Sequence, residues 1–411
     1  MSSTAPPDVE YLRTNMRVRR ILFAIFAVQL LMCVRFFHKY VDAAPWLVHA
    51  AYATAALLAL LVVLDSRFLF GLFTTTWTLV VALGGLFLLV LVAYPKADAL
   101  REAGRGSDQD DCVRTLVHNV FDLRDPFGFG YFGDPCSTGP SEFFVYWPVQ
   151  MSTGFFILAP VLWTAFGYWV LSQVTDRAAA VLLTLSLFSS WLFLEMSSVG
   201  SDMIAIAWLF TAGTVACDQG LRKERPTLLL LGAFAYVMFA GSRLPLLIVA
   251  AGSLLVFLMA AGARAIPVTA SVLLATTALY VGSYAVAPDA FTPGHLVGKS
   301  LRIIRELGVS LQIIGAVVGL TLVAALALLA SRTELRAVAR RHYYTMNVLV
   351  MAVPMAAVAM WDLSRRGYEL GAWEGLHYLF LAVPALLVAG GEAISTQTSR
   401  SQLPTDAGEI T

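Results

Sequence analysis

The chain has 411 residues, of which 58% are hydrophobic and 13% charged, and its formal net charge is +1. Soluble domains carry about 25% charged residues, so a water-soluble globular class is excluded, and the near-zero charge argues against nucleic acid as a partner. A mean hydropathy of +0.74 and apolar runs recurring from residue 20 to residue 392 indicate an all-α polytopic membrane protein.

In chain order, residues 1–19 form a cytoplasmic N-terminal segment, with Arg13, Arg17, Arg19 and Arg20 ahead of the first apolar run. That run has no small-residue cleavage site and reads as a retained first helix. At ~20 apolar residues per crossing, about twelve spans are expected: 20–37, 46–64, 72–94, 150–171, 178–195, 202–217, 227–241, 245–261, 266–286, 309–330, 345–361 and 374–392. Thus 20–94 holds three spans, 95–149 is an insert, and 150–392 holds the remaining spans with a loop at 287–308. The tail 393–411 is rich in Ser, Thr and Gln and reads as disordered. Short loops bearing Arg222-Lys223-Arg225 and Arg332, Arg336, Arg340 and Arg341 favour both termini in the cytoplasm and the insert outside.

The insert is the longest charged stretch between the apolar runs. Residues 110–123 have helical period, with Cys112, Val113, Leu116, Val117, Val120 and Phe121 on one face. Asp110, Asp111, Arg114, Thr115, His118 and Asp122 occupy the other. This predicts a short helix lying at the membrane surface, apolar face down. Ser107 and Asp110 also fit a capping box. Cys112 and Cys136 share the insert; outside the cytoplasm they are a disulfide candidate, and otherwise two small apolar residues. No spacing suggests a zinc site.

The series Asp108-x-Asp110-Asp111-x-Val113, Asp125-Pro126-Phe127, Thr138-Gly139-Pro140 and Tyr146-Trp147-Pro148 resembles the first catalytic loop of GT-C glycosyltransferases, family 87 among them. Phe127 stands where that family commonly has Tyr, and the insert follows three spans where many members place it after the first. Shorter similarities lie at Gly200-Ser201-Asp202, at Ser242-Arg243-Leu244-Pro245 and from His377 to Pro384. The resemblance implies an extracytoplasmic active site in a bacterial plasma membrane. The reaction it implies moves a sugar, mannose first among the candidates, from a polyprenyl-phosphate donor to a glycolipid or cell-envelope glycan acceptor.

A carboxylate must take the acceptor's proton in such a reaction. Asp110 is the first candidate and Asp111 the second. Asp202 is expected either to orient acceptor or sugar hydroxyls or to cap the next helix. His118, Tyr146 and Trp147 are candidates for sugar contact, although aromatics also populate membrane interfaces. Cations for the donor phosphate are Arg243, Arg302, Arg305 and His377. Arg243 alternatively snorkels or makes an ion pair, Arg302 and Arg305 alternatively meet lipid headgroups, and His377 is alternatively structural. No cofactor is expected, since the acidic residues do not by themselves specify a divalent metal.

Two other classes compete. A secondary transporter also fits about twelve spans, but the halves show no internal repeat. Another lipid-handling enzyme, such as an acyltransferase, would call for an intramembrane histidine, and neither His118 nor His377 is placed for it.

Overall fold

The computed structural model describes residues 7–99, 109–122, 124, 136, 138–286 and 333–401. All regular structure among them is helical. Asp108, the Asp125-Pro126-Phe127 turn, Arg302, Arg305, the 287–308 loop and the expected 309–330 span lie outside the described residues.

Eight helical stretches among the described residues are long and apolar enough to cross a membrane, or nine if one bent pair is a single span. One of the expected twelve lies outside the described residues, and three other regions bear on the count. The 178–195 region is two helices, Arg177–Ser189 and Trp191–Ser198, bent by 75°. The 227–241 region is a helix of 17 residues, Pro226–Ser242, which at ~1.5 Å per residue falls short of a ~30 Å hydrocarbon core. The 245–261 and 266–286 regions are two helices, Leu246–Ala261 and Ile266–Val286, as expected; a short turn at Gly262, where φ is +63°, joins them into one 41-residue apolar stretch.

The chain divides into two compact units, Met1–Tyr94 with Ile157–Ser198 and Ala352–Thr411, and Pro95–Phe156 with Val199–Met351. In the first, α1 (Pro7–Thr14) leads into α2 (Met16–Leu31), whose first turn is capped by Asn15. A short α3 (Val34–Tyr40) continues that span. Two apolar helices follow, α4 (Pro45–Asp65) and, after α5 (Arg67–Phe73), α6 (Thr76–Ala99). Leu47, Val62, Trp77 and Val81 on α4 and α6 are exposed, as lipid-facing residues are.

The bent pair of the first unit follows α9 (Phe155–Ser172) and consists of α10 (Arg177–Ser186) with its terminal turn and α11 (Trp191–Ser198). A break at membrane depth bares backbone groups that need partners. Here Tyr52 donates its hydroxyl to the Ser189 carbonyl at 2.6 Å, and the Trp191 N–H reaches the Cys33 sulfur at 3.3 Å.

The second unit is built on α7 (Gln109–Phe121), α8 (Glu142–Tyr146), α12 (Met203–Arg222), α13 (Pro226–Ser242), α14 (Leu246–Ala261) and α15 (Ile266–Val286). To these α16 (Thr333–Arg341) and the first part of α17 (Tyr343–Arg365) are added. Small residues let α12 and α13 approach closely. A Cβ on Gly232 would stand 2.6 Å from the Cys217 sulfur, and one on Gly213 would stand 3.1 Å from the Tyr236 ring. The C-terminal end of the first unit is α18 (Gly375–Phe380) and α19 (Val383–Ser401).

Candidate functional site

The insert is closed on itself by a disulfide and docked on α13 by a turn. Cys112 and Cys136 are joined in a disulfide, which ties the start of α7 to the residues just ahead of the Gly139-Pro140 turn. That turn then docks on the end of α13. Gly139 N–H donates to the Ser242 carbonyl at 2.5 Å and Ser141 N–H to the Gly241 carbonyl at 3.2 Å. The Ser141 hydroxyl donates to the Met238 carbonyl at 2.5 Å. Only glycine fits at 139, because a Cβ there would overlap the Gly241 carbonyl oxygen.

This docking carries Glu142, the first residue of α8, into the interior. Glu142 is 1% exposed, and neither of its carboxyl oxygens has a hydrogen-bond partner among the described residues. Beside it lies Asp202, 0% exposed. Asp202 starts α12 without capping it through its side chain; instead its Oδ2 accepts from Arg243 Nη2 at 2.5 Å. Its Oδ1, and the hydroxyl of buried Thr138, have no hydrogen-bond partner among the described residues. Burial first, and then the Asp202 charge, push the Glu142 carboxyl well above its ordinary value, and the Arg243 charge only partly opposes them. Burial likewise pushes the Tyr146 phenol up, with Asp202 and Glu142 adding to it. A carboxyl whose proton is retained by burial, set beside a second carboxyl that a guanidinium binds, is an acid–base arrangement.

Asp110 differs from the expectation that it lies on the polar face of α7. It is 1% exposed and shares the buried side with Val113 and Val117, one and two turns along. Arg114 Nη2 donates to its Oδ2 at 3.2 Å, and Arg114 Nη1 lies 3.7 Å from Asp111 Oδ1. The Arg114 guanidinium also sits 5.9 Å from the Phe156 ring, which stacks on Tyr146 at 5.9 Å. Tyr146 is thus buried behind the carboxyl pair, whereas Trp147 is 47% exposed and His118 is half-buried on α7.

His377 belongs to the first unit, where its Nε2 stands 3.1 Å from Arg35 Nη1. Arg366 pairs with Asp362 at 3.0 Å and with Glu374 at 3.1 Å. Among the described residues no group of three or more His, Cys, Asp and Glu side chains could hold a metal ion.

No family model and no curated protein matches the chain. Among solved structures it is similar to the archaeal oligosaccharyltransferase AglB from Archaeoglobus fulgidus, solved in complex with an inhibitory peptide and a dolichol-phosphate. The identity is 12% and the TM-score 0.38. The match covers 74% of this chain and 49% of that one, so this chain spans about half the length of AglB.

Sequence reasoning singled out Asp202 and Arg243 separately but not their pairing, and it passed over Glu142. The one local signal was the acidic residue two positions after the Gly139-Pro140 turn. An acidic residue at a helix start is ordinarily solvated and favours the helix dipole.

Proposed function

We propose that the chain is an inverting membrane glycosyltransferase of the GT-C type. It takes a sugar, with mannose the first to test, from a polyprenyl-phosphate donor to a glycolipid or envelope-glycan acceptor on the extracytoplasmic side of a bacterial plasma membrane. The observation that carries this reading is the buried Glu142, Asp202 and Arg243 cluster, assembled by the same insert whose sequence resembles the GT-C catalytic loop.

The chemistry asks for one proton acceptor and a cation near the departing phosphate. The acceptor oxygen attacks the anomeric carbon while the bond from that carbon to the phosphate oxygen breaks. The bonding pair leaves with the phosphate, and the hydroxyl proton passes to a carboxylate. A single displacement inverts the anomeric centre. Two groups compete for the base. Asp110 is favoured by its place in the motif. Glu142 is favoured because burial holds its carboxyl well above the ordinary value, which makes it the stronger proton acceptor once ionised, whereas Asp110 is held by Arg114.

Transfer from radiolabelled polyprenyl-phosphate sugars tests both. Wild-type membranes are compared with Asp110→Asn, Asp111→Asn and Glu142→Gln at matched amounts of folded protein. Loss of the base is expected to lower turnover by about 10²–10⁴-fold with KM little changed. Loss in Glu142→Gln alone assigns the base to Glu142, and loss in Asp110→Asn alone assigns it to Asp110. Equal transfer by all variants removes the carboxylate mechanism. Failure of folded wild type with every donor removes the donor class.

One observation bears on a transporter. The bent pair of the first unit resembles the broken helices transporters use to line a substrate path. Two of the groups bared there, the Ser189 carbonyl and the Trp191 N–H, are instead taken up by Tyr52 and Cys33, which favours a structural role for the break. Uptake by proteoliposomes, absent under the enzyme reading, separates the two.

A further inference from the structure

The first unit contains a cation cluster that the transfer chemistry does not use. Arg35 and Lys39 lie one turn apart on α3, so both point to one side. Arg35 Nη1 donates to Glu195 Oε1 at 2.7 Å, Lys39 Nζ to the same oxygen at 3.0 Å, and the Tyr40 hydroxyl to it at 3.3 Å. Three donors therefore crowd one carboxylate oxygen. Arg35 Nε has no hydrogen-bond partner among the described residues, although the Arg35 side chain is only 5% exposed.

The fourth member is His377. Arg35 Nη1 can only donate, so at 3.1 Å the His377 Nε2 accepts, which leaves the ring neutral. The cluster then holds two positive charges and one negative. A buried excess of charge is costly unless it is paired. Lys39, with 23% of its side chain exposed, gives the cluster an opening.

The place is informative too. Lys39 and Tyr40 end the candidate span Met16–Tyr40, and His377 lies at the start of Gly375–Thr398. Tyr40 and Trp46 are exposed there, as aromatics at a membrane–water boundary are. An anion reaching this cluster comes from the level of the lipid headgroups. A guanidinium edge beside an ammonium matches a phosphate, whose several oxygens can take both.

We propose that Arg35 and Lys39, with His377 and Glu195 setting the charge of the pocket, form a binding site for a phosphate ester anion at one membrane face of the first unit. The site belongs to the first unit, and no step of the transfer reaction described above uses it. Phosphate displaces Lys39, and in part Arg35, from the shared Glu195 oxygen. Glu195 thereby acts as the internal competitor of the ligand.

The test is direct binding to the purified full chain in detergent, read by calorimetry and by the shift in unfolding temperature. The probes are a long-chain polyprenyl monophosphate, the uncharged polyprenol of the same length, and inorganic phosphate. Lys39→Gln is expected to weaken binding of the lipid phosphate about tenfold or more, and Lys39→Arg to keep it within about threefold. Glu195→Gln removes the competitor and is expected to tighten binding, a gain that loss of structure cannot imitate. Binding of the lipid phosphate alone identifies a headgroup as the source, and displacement by inorganic phosphate identifies the phosphate itself as sufficient. Both outcomes support the site. If the monophosphate binds no better than the polyprenol and inorganic phosphate does not bind, the proposal falls. It falls equally if Lys39→Gln and Glu195→Gln, both folded by their ligand-free unfolding temperature, leave binding unchanged. Since no turnover is read, phosphate binding can stand where transfer fails, and transfer can stand where this binding fails.

Discussion

Glu142 concentrates the physical tension of the second unit in one side chain. Its groups to reckon with are Asp202, Arg243 and Tyr146, together with Tyr280, whose hydroxyl bonds to the Ala240 carbonyl at 3.1 Å. Because burial and Asp202 raise its folded pKa, the protonated form favours the folded state. That stability is complete below the carboxyl's unfolded pKa and is lost as pH rises through the higher folded value. Wild type is therefore expected to lose unfolding temperature toward alkaline pH, and Glu142→Gln to lose less. Parallel curves for the two proteins, from thermal melts in detergent between about pH 5 and pH 9, would show that Glu142 does not hold the proton. The same sign governs turnover: if Glu142 is the base, transfer rises with pH as it ionises, and the rise disappears in Glu142→Gln. At this scale the sequence shows residue types better than partners. Asp202 and Arg243 are visible as isolated polar residues at apolar run ends, but they lie on separate helices, and nothing local in either records the other.

At the scale of elements, the turn 138–142 matters through its backbone. Gly139→Ala is expected to lift the turn from α13, because the methyl meets a backbone carbonyl that cannot swing aside. Overpacking of this kind costs about 1–3 kcal/mol and would also displace Glu142. Ser141→Ala removes a single hydrogen bond and is expected to cost about 1 kcal/mol. Melting temperatures of the two variants should rank in that order, with a reversed ranking marking the turn as undocked. Helix α7 shows why its register was half legible. The spacing of Asp110, Val113 and Val117 places them on one side, but a carboxylate within an apolar stripe is naturally assigned to the polar face. Pairing with Arg114, one turn along the same helix, is what lets it lie inside. The bent pair was not legible, because hydropathy averages over a break at Ser190 as readily as over continuous helix.

For the whole molecule, the cysteines give a test of topology. Cys33 and Cys217 are buried, whereas Cys112 and Cys136 close the insert. On the proposed orientation, a membrane-impermeant maleimide added to intact cells after mild reduction labels the insert, and replacing Cys112 and Cys136 with serine removes the label. Labelling that needs permeabilised cells would place the insert in the cytoplasm and overturn the extracytoplasmic site. Removing the cross-link is expected to cost about 2–4 kcal/mol, provided Cys112→Ser and Cys136→Ser still insert in the membrane. The membrane class, the insert and its candidate cross-link are all legible from composition and spacing. The division into two units is not, since each unit is assembled from separated stretches of chain.

The disulfide also sets an order of events in biosynthesis. Cys112 and Cys136 are neighbours in the series of cysteines, with none between them. On the proposed topology they can be joined while the ribosome is still working on later spans. Ser242, on which the turn must dock, is made roughly a hundred residues afterwards, about 5–20 s at ordinary rates of synthesis. During that interval the closed loop waits without its platform, and Glu142 stands in water, ionised and unremarkable. The buried carboxyl is created only when α13 arrives, so its chemistry is withheld until about half of the second unit has been made.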